Sequence, residues 1–153
     1  MPVVDLPDEA ATAAFAARIS ALAANGDIIA LKGDLGAGKT TFARGFIRAR
    51  GGEEEVPSPT FTLVQVYELT PAAIWHFDLY RLKSPEDAWE LDIEEAFAEG
   101  ISLIEWPERL ESLLPRRRLE IDFSFGDQPE ARRVVLDAGE DWQKRLAGIV
   151  VHA

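Results

Sequence analysis

The sequence predicts a single α/β domain over residues 1–153, with a mixed, partly antiparallel sheet flanked by helices. Three observations predict it. A length of 153 residues suits one hydrophobic core and is short for two domains. Apolar residues make up 47% of the chain, too many for a disordered composition, yet no apolar run approaches the ~20 residues that span a bilayer. Short apolar runs alternate with amphipathic stretches in the order helix, strand, helix, followed by strands and helices mixed.

The first helix is expected to begin at Asp8, a good N-cap followed by Glu9, whose charge suits the positive helix end. Ala11, Ala14, Phe15, Ile19, Leu22 and Ala23 recur at helical spacing, and Asn25-Gly26 reads as the stop. Ile28-Ile29-Ala30-Leu31 is the unbroken apolar run of a buried strand. A glycine-rich segment follows, and then Thr40 to Arg50 reads as a helix with Phe42, Ala43, Phe46 and Ile47 on one side. Glu53-Glu54-Glu55 and Pro57-Ser58-Pro59 read as a polar, proline-fixed loop. Phe61 to Glu68 and Ala73 to Phe77 read as strands joined by a turn at Thr70-Pro71. Ser84-Pro85-Glu86-Asp87 presents an N-cap, an N1 proline and first-turn acids, which predicts a helix to about Glu99 closed by Gly100. Ile101 to Glu105 reads as another buried strand, Glu108 to Leu114 as a short helical turn, Leu119 to Phe125 and Arg132 to Leu136 as strands, and Asp141 to Val150 as a last helix.

The most informative segment is Gly33-Asp34-Leu35-Gly36-Ala37-Gly38-Lys39-Thr40, which fits G-x-x-x-x-G-K-[ST] at every fixed position. Glycines let the backbone curl until successive N–H groups face phosphate oxygens. Lys39 places a point charge near the β and γ phosphates, and the Thr40 hydroxyl suits Mg²⁺. The helix that starts here directs its positive end at the same oxygens. A chance match could fall anywhere, whereas this one sits between an apolar strand and an apolar-faced helix. The chain is therefore read as a P-loop NTPase fold. A guanine-specific Asn/Thr-Lys-x-Asp segment is absent, since the only asparagine, Asn25, precedes Gly26 and no threonine precedes a lysine. ATP is the expected nucleotide.

Composition narrows the setting. Acidic residues number 27 against 16 basic, a formal net charge of -11, so affinity for nucleic acid on its own is expected to be poor. Arg116-Arg117-Arg118 runs against that trend and reads as a solvated run leading into a strand, with docking of an acidic partner or RNA as the alternative. Cysteine is absent and Met1-Pro2-Val3-Val4-Asp5 carries no secretory pattern, which fits a cytoplasmic protein without a membrane anchor.

Phosphoryl transfer needs a metal ion and a group that orients the attacking atom. Two acids end apolar runs: Asp78 after Ala73 to Phe77, and Glu105 after Ile101 to Ile104. Either suits the metal and the other water. Thr60 reads either as a switch-loop threonine that senses the γ-phosphate or as the start of a strand. His76, inside an apolar strand, reads as a packed, hydrogen-bonded histidine rather than a ligand. Trp75, Trp89 and Trp142 read as core, as does Trp106, for which a place near the nucleotide is the alternative.

Four blocks, Gly33 to Thr41, Ser58 to Val64, His76 to Leu82 and Glu105 to Glu108, resemble the bacterial TsaE family over roughly residues 6 to 115. The resemblance implies a Mg²⁺-dependent ATPase, weak alone, that supports threonylcarbamoyl transfer to adenosine 37 of tRNA together with TsaD and TsaB. The tRNA is met through that complex. The resemblance further places phosphate contacts on Gly36, Ala37, Gly38, Lys39, Thr40 and Thr41. It puts the metal ligands on Thr40 and Glu105, which leaves Asp78 to orient water or couple to partners, with Lys39, Asp78 and Thr60 as the catalytic set. Contacts to the base fall on Glu9 and Arg132. Two other functions compete: a small-molecule kinase with Asp78 as base, to which Arg81 and Arg109 contribute, and a nucleotide-sensing module without useful turnover.

Overall fold

A computed structural model describes residues 2–34, 36–52 and 63–150, with residues 148–150 described as backbone only. Its strands are β1 Val3–Leu6, β2 Ile28–Lys32, β3 Val64–Tyr67, β4 Ala73–Asp78, β5 Gly100–Glu105, β6 Leu119–Phe125 and β7 Arg132–Ala138. The α-helices are α1 Glu9–Leu22, α2 Lys39–Ala49, α3 Ile93–Glu99 and α4 Glu140–Val150, and 3₁₀ segments occupy Pro85–Leu91 and Pro107–Leu113.

All seven strands form one sheet in the order β1-β7-β6-β2-β5-β4-β3. Parallel pairing holds the centre, where β2 lies between β5 and β6 and β4 joins the far side of β5. Antiparallel pairs close both edges: β6 with β7, β7 with β1, and β4 with β3. The sheet is thus mixed and flanked by helices, as the residue pattern predicts.

Strand alternation sorts the core into two clusters. Ile29 and Leu31 of β2, Ile101 and Leu103 of β5, Ile74 of β4 and Leu119, Ile121 and Phe123 of β6 pack with α1, α2 and α4. Ile28, Phe77 and Ile104 face the other way, onto Ala88, Ile93, Ala96 and Leu110. Phe42 of α2 ties the first layer together, its ring centroid 5.9 Å from Phe15 of α1, 6.2 Å from Phe46 and 5.7 Å from Phe123. The residue that follows the glycine-rich segment by one turn is therefore anchored to both the neighbouring helix and the sheet.

One strand is added and three expectations change. The N-terminal strand β1, where the residue pattern assigns no element, pairs antiparallel with β7 from Val3↔Val135 to Leu6↔Arg132. Helix α1 starts where Asp8 Oδ1 accepts from Ala11 N at 2.8 Å, but it stops at Leu22, before Asn25-Gly26. The helix expected from Ser84 to Glu99 is broken at Asp92, which adopts a left-handed conformation (φ 58°, ψ 37°). Ala88 and Ile93 both reach the second core cluster. On one uninterrupted helix, residues five apart point about 140° away from each other, so the break lets both be buried. Trp89, on the far side of that 3₁₀ segment, is 45% exposed rather than core. Trp142 is buried, and the ring of Trp75 lies on Phe77 with centroids 6.3 Å apart.

Candidate functional site

The site lies at the carboxyl ends of β2, β5 and β4. Their register places Leu31 opposite Glu105 and Glu105 opposite Asp78, so three neighbouring strand ends deliver the loop and two carboxylates to one spot. In an open parallel sheet this edge is where ligands bind.

Between β2 and α2 the chain makes a tight curl. Gly33 has φ 133°, and a Cβ there would lie 2.5 Å from the Phe123 carbonyl oxygen, so only glycine fits between the loop and β6. Gly38 begins α2 at φ 109°. The helix start carries neither a side-chain cap nor an acidic residue in its first turn, which leaves its amide donors to the cleft. Lys39 is buried, and its Nζ donates to the Gly33 carbonyl at 2.5 Å while lying 3.7 Å from the centre of the Trp106 ring. Burial pushes the ammonium below its ordinary pKa, and the carboxylates of Glu105, Glu108, Asp78 and Asp34 pull it back up.

Across the cleft, Asp78 and Glu105 are both buried. Asp78 Oδ1 accepts from Tyr80 N at 3.1 Å. The two oxygens of Glu105 face different partners: Oε1 accepts from the Thr40 hydroxyl at 3.4 Å, and Oε2 lies 2.7 Å from His76 Nε2. His76 is indeed packed and hydrogen-bonded, and fully buried.

These groups line a cleft of about 270 Å³ with Glu9, Thr12, Gly36, Gly38, Thr41, Trp106, Glu130 and Arg132. Arg132 reaches across from β7, donating to the Gly36 carbonyl at 3.1 Å. Of the residues selected from sequence, Glu9, Gly36, Gly38, Lys39, Thr40, Thr41, Asp78, Glu105 and Arg132 converge here. Ala37 is buried, its amide donating to the Asp34 carbonyl at 3.1 Å. Thr60 lies outside the described residues, as do the loop expected over Glu53 to Pro59 and the first two residues of the strand expected from Phe61. Sequence reasoning missed Thr12 and Glu130. Thr12 is three residues beyond Glu9 and so shares its helix face, a usable signal. Glu130 sits between β6 and β7, where only the hairpin's fold brings it near. Trp106, for which core packing and a place near the cleft are both expected, lines the cleft, lies against Lys39 and has the Tyr80 ring at a centroid distance of 4.9 Å.

Arg116 and Arg117 are exposed, and Arg117 meets Asp141 at 3.1 Å while Arg118 pairs with Glu120 at 2.7 Å. Arg109 stands 5.8 Å over the Tyr80 ring. Among the described residues no helix is long and apolar enough to cross a membrane.

A parallel strand, a glycine loop, a helix with an open amino end and acid-tipped neighbouring strands define a P-loop protein of the α/β class. Comparison with known proteins narrows this. Residues 6–134 match the family model described as "Threonylcarbamoyl adenosine biosynthesis protein TsaE". The tRNA threonylcarbamoyladenosine biosynthesis protein TsaE of Rickettsia bellii is 43% identical over 123 residues, covering 80% of this chain and 85% of that protein. The TsaE protein of Rickettsia felis is 47% identical over 103 residues, covering 67% of this chain and 60% of that protein. The crystal structure of Bacillus subtilis YdiB superposes with a TM-score of 0.79 at 29% identity, covering 98% of this chain and 94% of that one. The chain belongs to the TsaE family of threonylcarbamoyladenosine biosynthesis proteins.

Proposed function

We propose that this chain is a single-domain cytoplasmic ATPase that hydrolyses ATP with Mg²⁺ and supports threonylcarbamoyl transfer to adenosine 37 of tRNA, acting with TsaD and TsaB. The observation that carries the reading is the convergence of Lys39, Thr40 and Glu105 on one cleft, with Thr40 Oγ1 and Glu105 Oε1 3.4 Å apart. Family membership supplies the tRNA modification. The net charge of -11 favours a chain that meets tRNA through its partners rather than alone.

A hydroxyl and a carboxylate are hard oxygen donors, the set magnesium takes. Among the described residues no group of three or more His, Cys, Asp or Glu could hold a metal. That fits an ion shared with nucleotide phosphates, since Mg²⁺ in such sites keeps few protein ligands. Thr40 and Glu105 would hold the ion, which would offset the negative charge of the phosphates. In this reading the backbone of Gly36, Ala37 and Gly38 and the hydroxyls of Thr40 and Thr41 hold the phosphates. Lys39 leaves the Gly33 carbonyl for a phosphate oxygen, a stronger acceptor because it is charged. Asp78 orients the attacking water, Thr60 senses the γ-phosphate, and Glu9 and Arg132 bracket the nucleotide.

The test is ATP hydrolysis by the purified chain, alone and with TsaD and TsaB, with Lys39→Ala as control. Low activity that rises in the complex and vanishes in the variant is expected. Labelled γ-phosphate appearing on a metabolite instead of in free phosphate would replace this reading with a kinase.

A further inference from the structure

The ring of His76 has no place in the proposed ATPase cycle, yet it is the best-buried polar side chain beside the cleft. Strand alternation explains how it gets there. Ile74, His76 and Asp78 point to the α2 side of β4, as Ile101, Leu103 and Glu105 do on β5. His76 is paired with Leu103, which places it diagonally next to Glu105. Its Nε2 lies 2.7 Å from Glu105 Oε2, with His76 fully buried and Glu105 3% exposed. Facing a carboxylate oxygen, Nε2 serves as the donor, and Nδ1 is the ring's other polar atom. That Nδ1 is buried and has no hydrogen-bond partner among the described residues. A buried ring that leaves one nitrogen unsatisfied is an unfavourable choice for packing alone, where leucine or phenylalanine would serve.

What the ring does is divide the labour of the carboxylate. Turning Glu105 about its last bond would break the contact of Oε2 with His76, and Oε1 faces the Thr40 hydroxyl at 3.4 Å. Metal-binding carboxylates are commonly fixed by an outer partner of this kind. We propose that His76 is a positioning residue that holds Glu105 through Oε2 so that Oε1 is presented with Thr40 to the nucleotide's magnesium ion. The inference rests on the reading of Glu105 as the metal acid.

The experiment is a titration of the full chain with N-methylanthraniloyl-ADP at a series of Mg²⁺ concentrations and in EDTA, followed by fluorescence. His76→Leu removes the donor and keeps apolar bulk. The Mg²⁺ concentration that half-saturates tight binding should rise roughly 10- to 100-fold, the usual cost of losing an outer-shell partner. Affinity in EDTA should stay at the wild-type value, because Lys39 and the loop amides are untouched. His76→Gln should restore most of the Mg²⁺ dependence, since its amide nitrogen reaches about where Nε2 sits, and His76→Asn should not. If His76→Leu does not fold, the Gln and Asn variants carry the same contrast. Unchanged Mg²⁺ dependence, or an equal loss in Mg²⁺ and in EDTA, overturns the proposal. Glu105→Gln separates it from the reading beneath: loss of Mg²⁺ dependence there but not in His76→Leu overturns only the role of His76. Loss in neither overturns both.

Discussion

One wall of the cleft is a single continuous stretch from Ile28 to Ala49, while the facing wall is gathered from Asp78, Glu105, Glu130 and Arg132 on separate segments. The first wall offers backbone donors and one ammonium; the second is mainly carboxylate. Their supports differ as well. Lys39 and the loop ride on α2, which is locked by Phe42 into the aromatic contacts with Phe15, Phe46 and Phe123. Asp78 and Glu105 are placed by strand register, and Glu105 by its histidine. The buried ammonium is thus built into a local motif, whereas the two carboxylates proposed to serve metal and water depend on the whole sheet closing correctly.

That contrast can be broken from either side. The largest effect is expected from Lys39→Ala, which removes the only buried cation among the described residues and should abolish both nucleotide binding and hydrolysis. Turnover at the wild-type rate would remove the loop from the mechanism. Glu105→Ala should lower Mg²⁺-dependent hydrolysis by ~10²–10³, the usual cost of one preorganised electrostatic group, with nucleotide binding in EDTA retained. If excess Mg²⁺ restores that variant fully while Asp78→Ala is the less active of the two, the roles of the acids are exchanged. Gly33→Ala strikes the junction of loop and sheet. Its Cβ would meet the Phe123 carbonyl at 2.5 Å at a φ of 133°, so a loss of at least about 1 kcal/mol should appear in a denaturant melt. Arg132→Ala should have the smallest effect, weakening nucleotide affinity about 2- to 10-fold, as suits one hydrogen bond. Isothermal calorimetry would read it, and an unchanged affinity would confine Arg132 to its contact with Gly36.

The same contrast explains what could be read from sequence. The strand-loop-helix unit was legible because its signals are adjacent: an apolar run, spaced glycines, then Lys39-Thr40 and a helix with an apolar face. Asp78 and Glu105 were legible as candidates because each ends an apolar run, but their division of roles came from family resemblance. The pairing of His76 with Glu105 was not legible, because it depends on the register of β4 against β5. Strand β1 was missed for a related reason. Four residues containing Asp5 carry little pattern, and what makes them a strand is the edge that β7 offers. The break at Asp92 was hidden by good start signals at Ser84 to Asp87, which say where a helix begins but not how far it runs. Trp89 was misplaced because bulk alone does not tell which side of a short helical segment meets the core.

The position of β2 in the sheet also bears on how the molecule comes to be folded. Ile29 lies opposite Leu103 on one side and Leu119 on the other, both much later in the chain. When a ribosome has released the glycine loop, neither strand that will flank β2 has yet been made. Closing such long chain loops carries an entropic cost before any contact rewards it, which slows the formation of parallel pairings. The loop is therefore early in synthesis and late in assembly, and the nascent chain has no finished cleft to offer until β6 has joined.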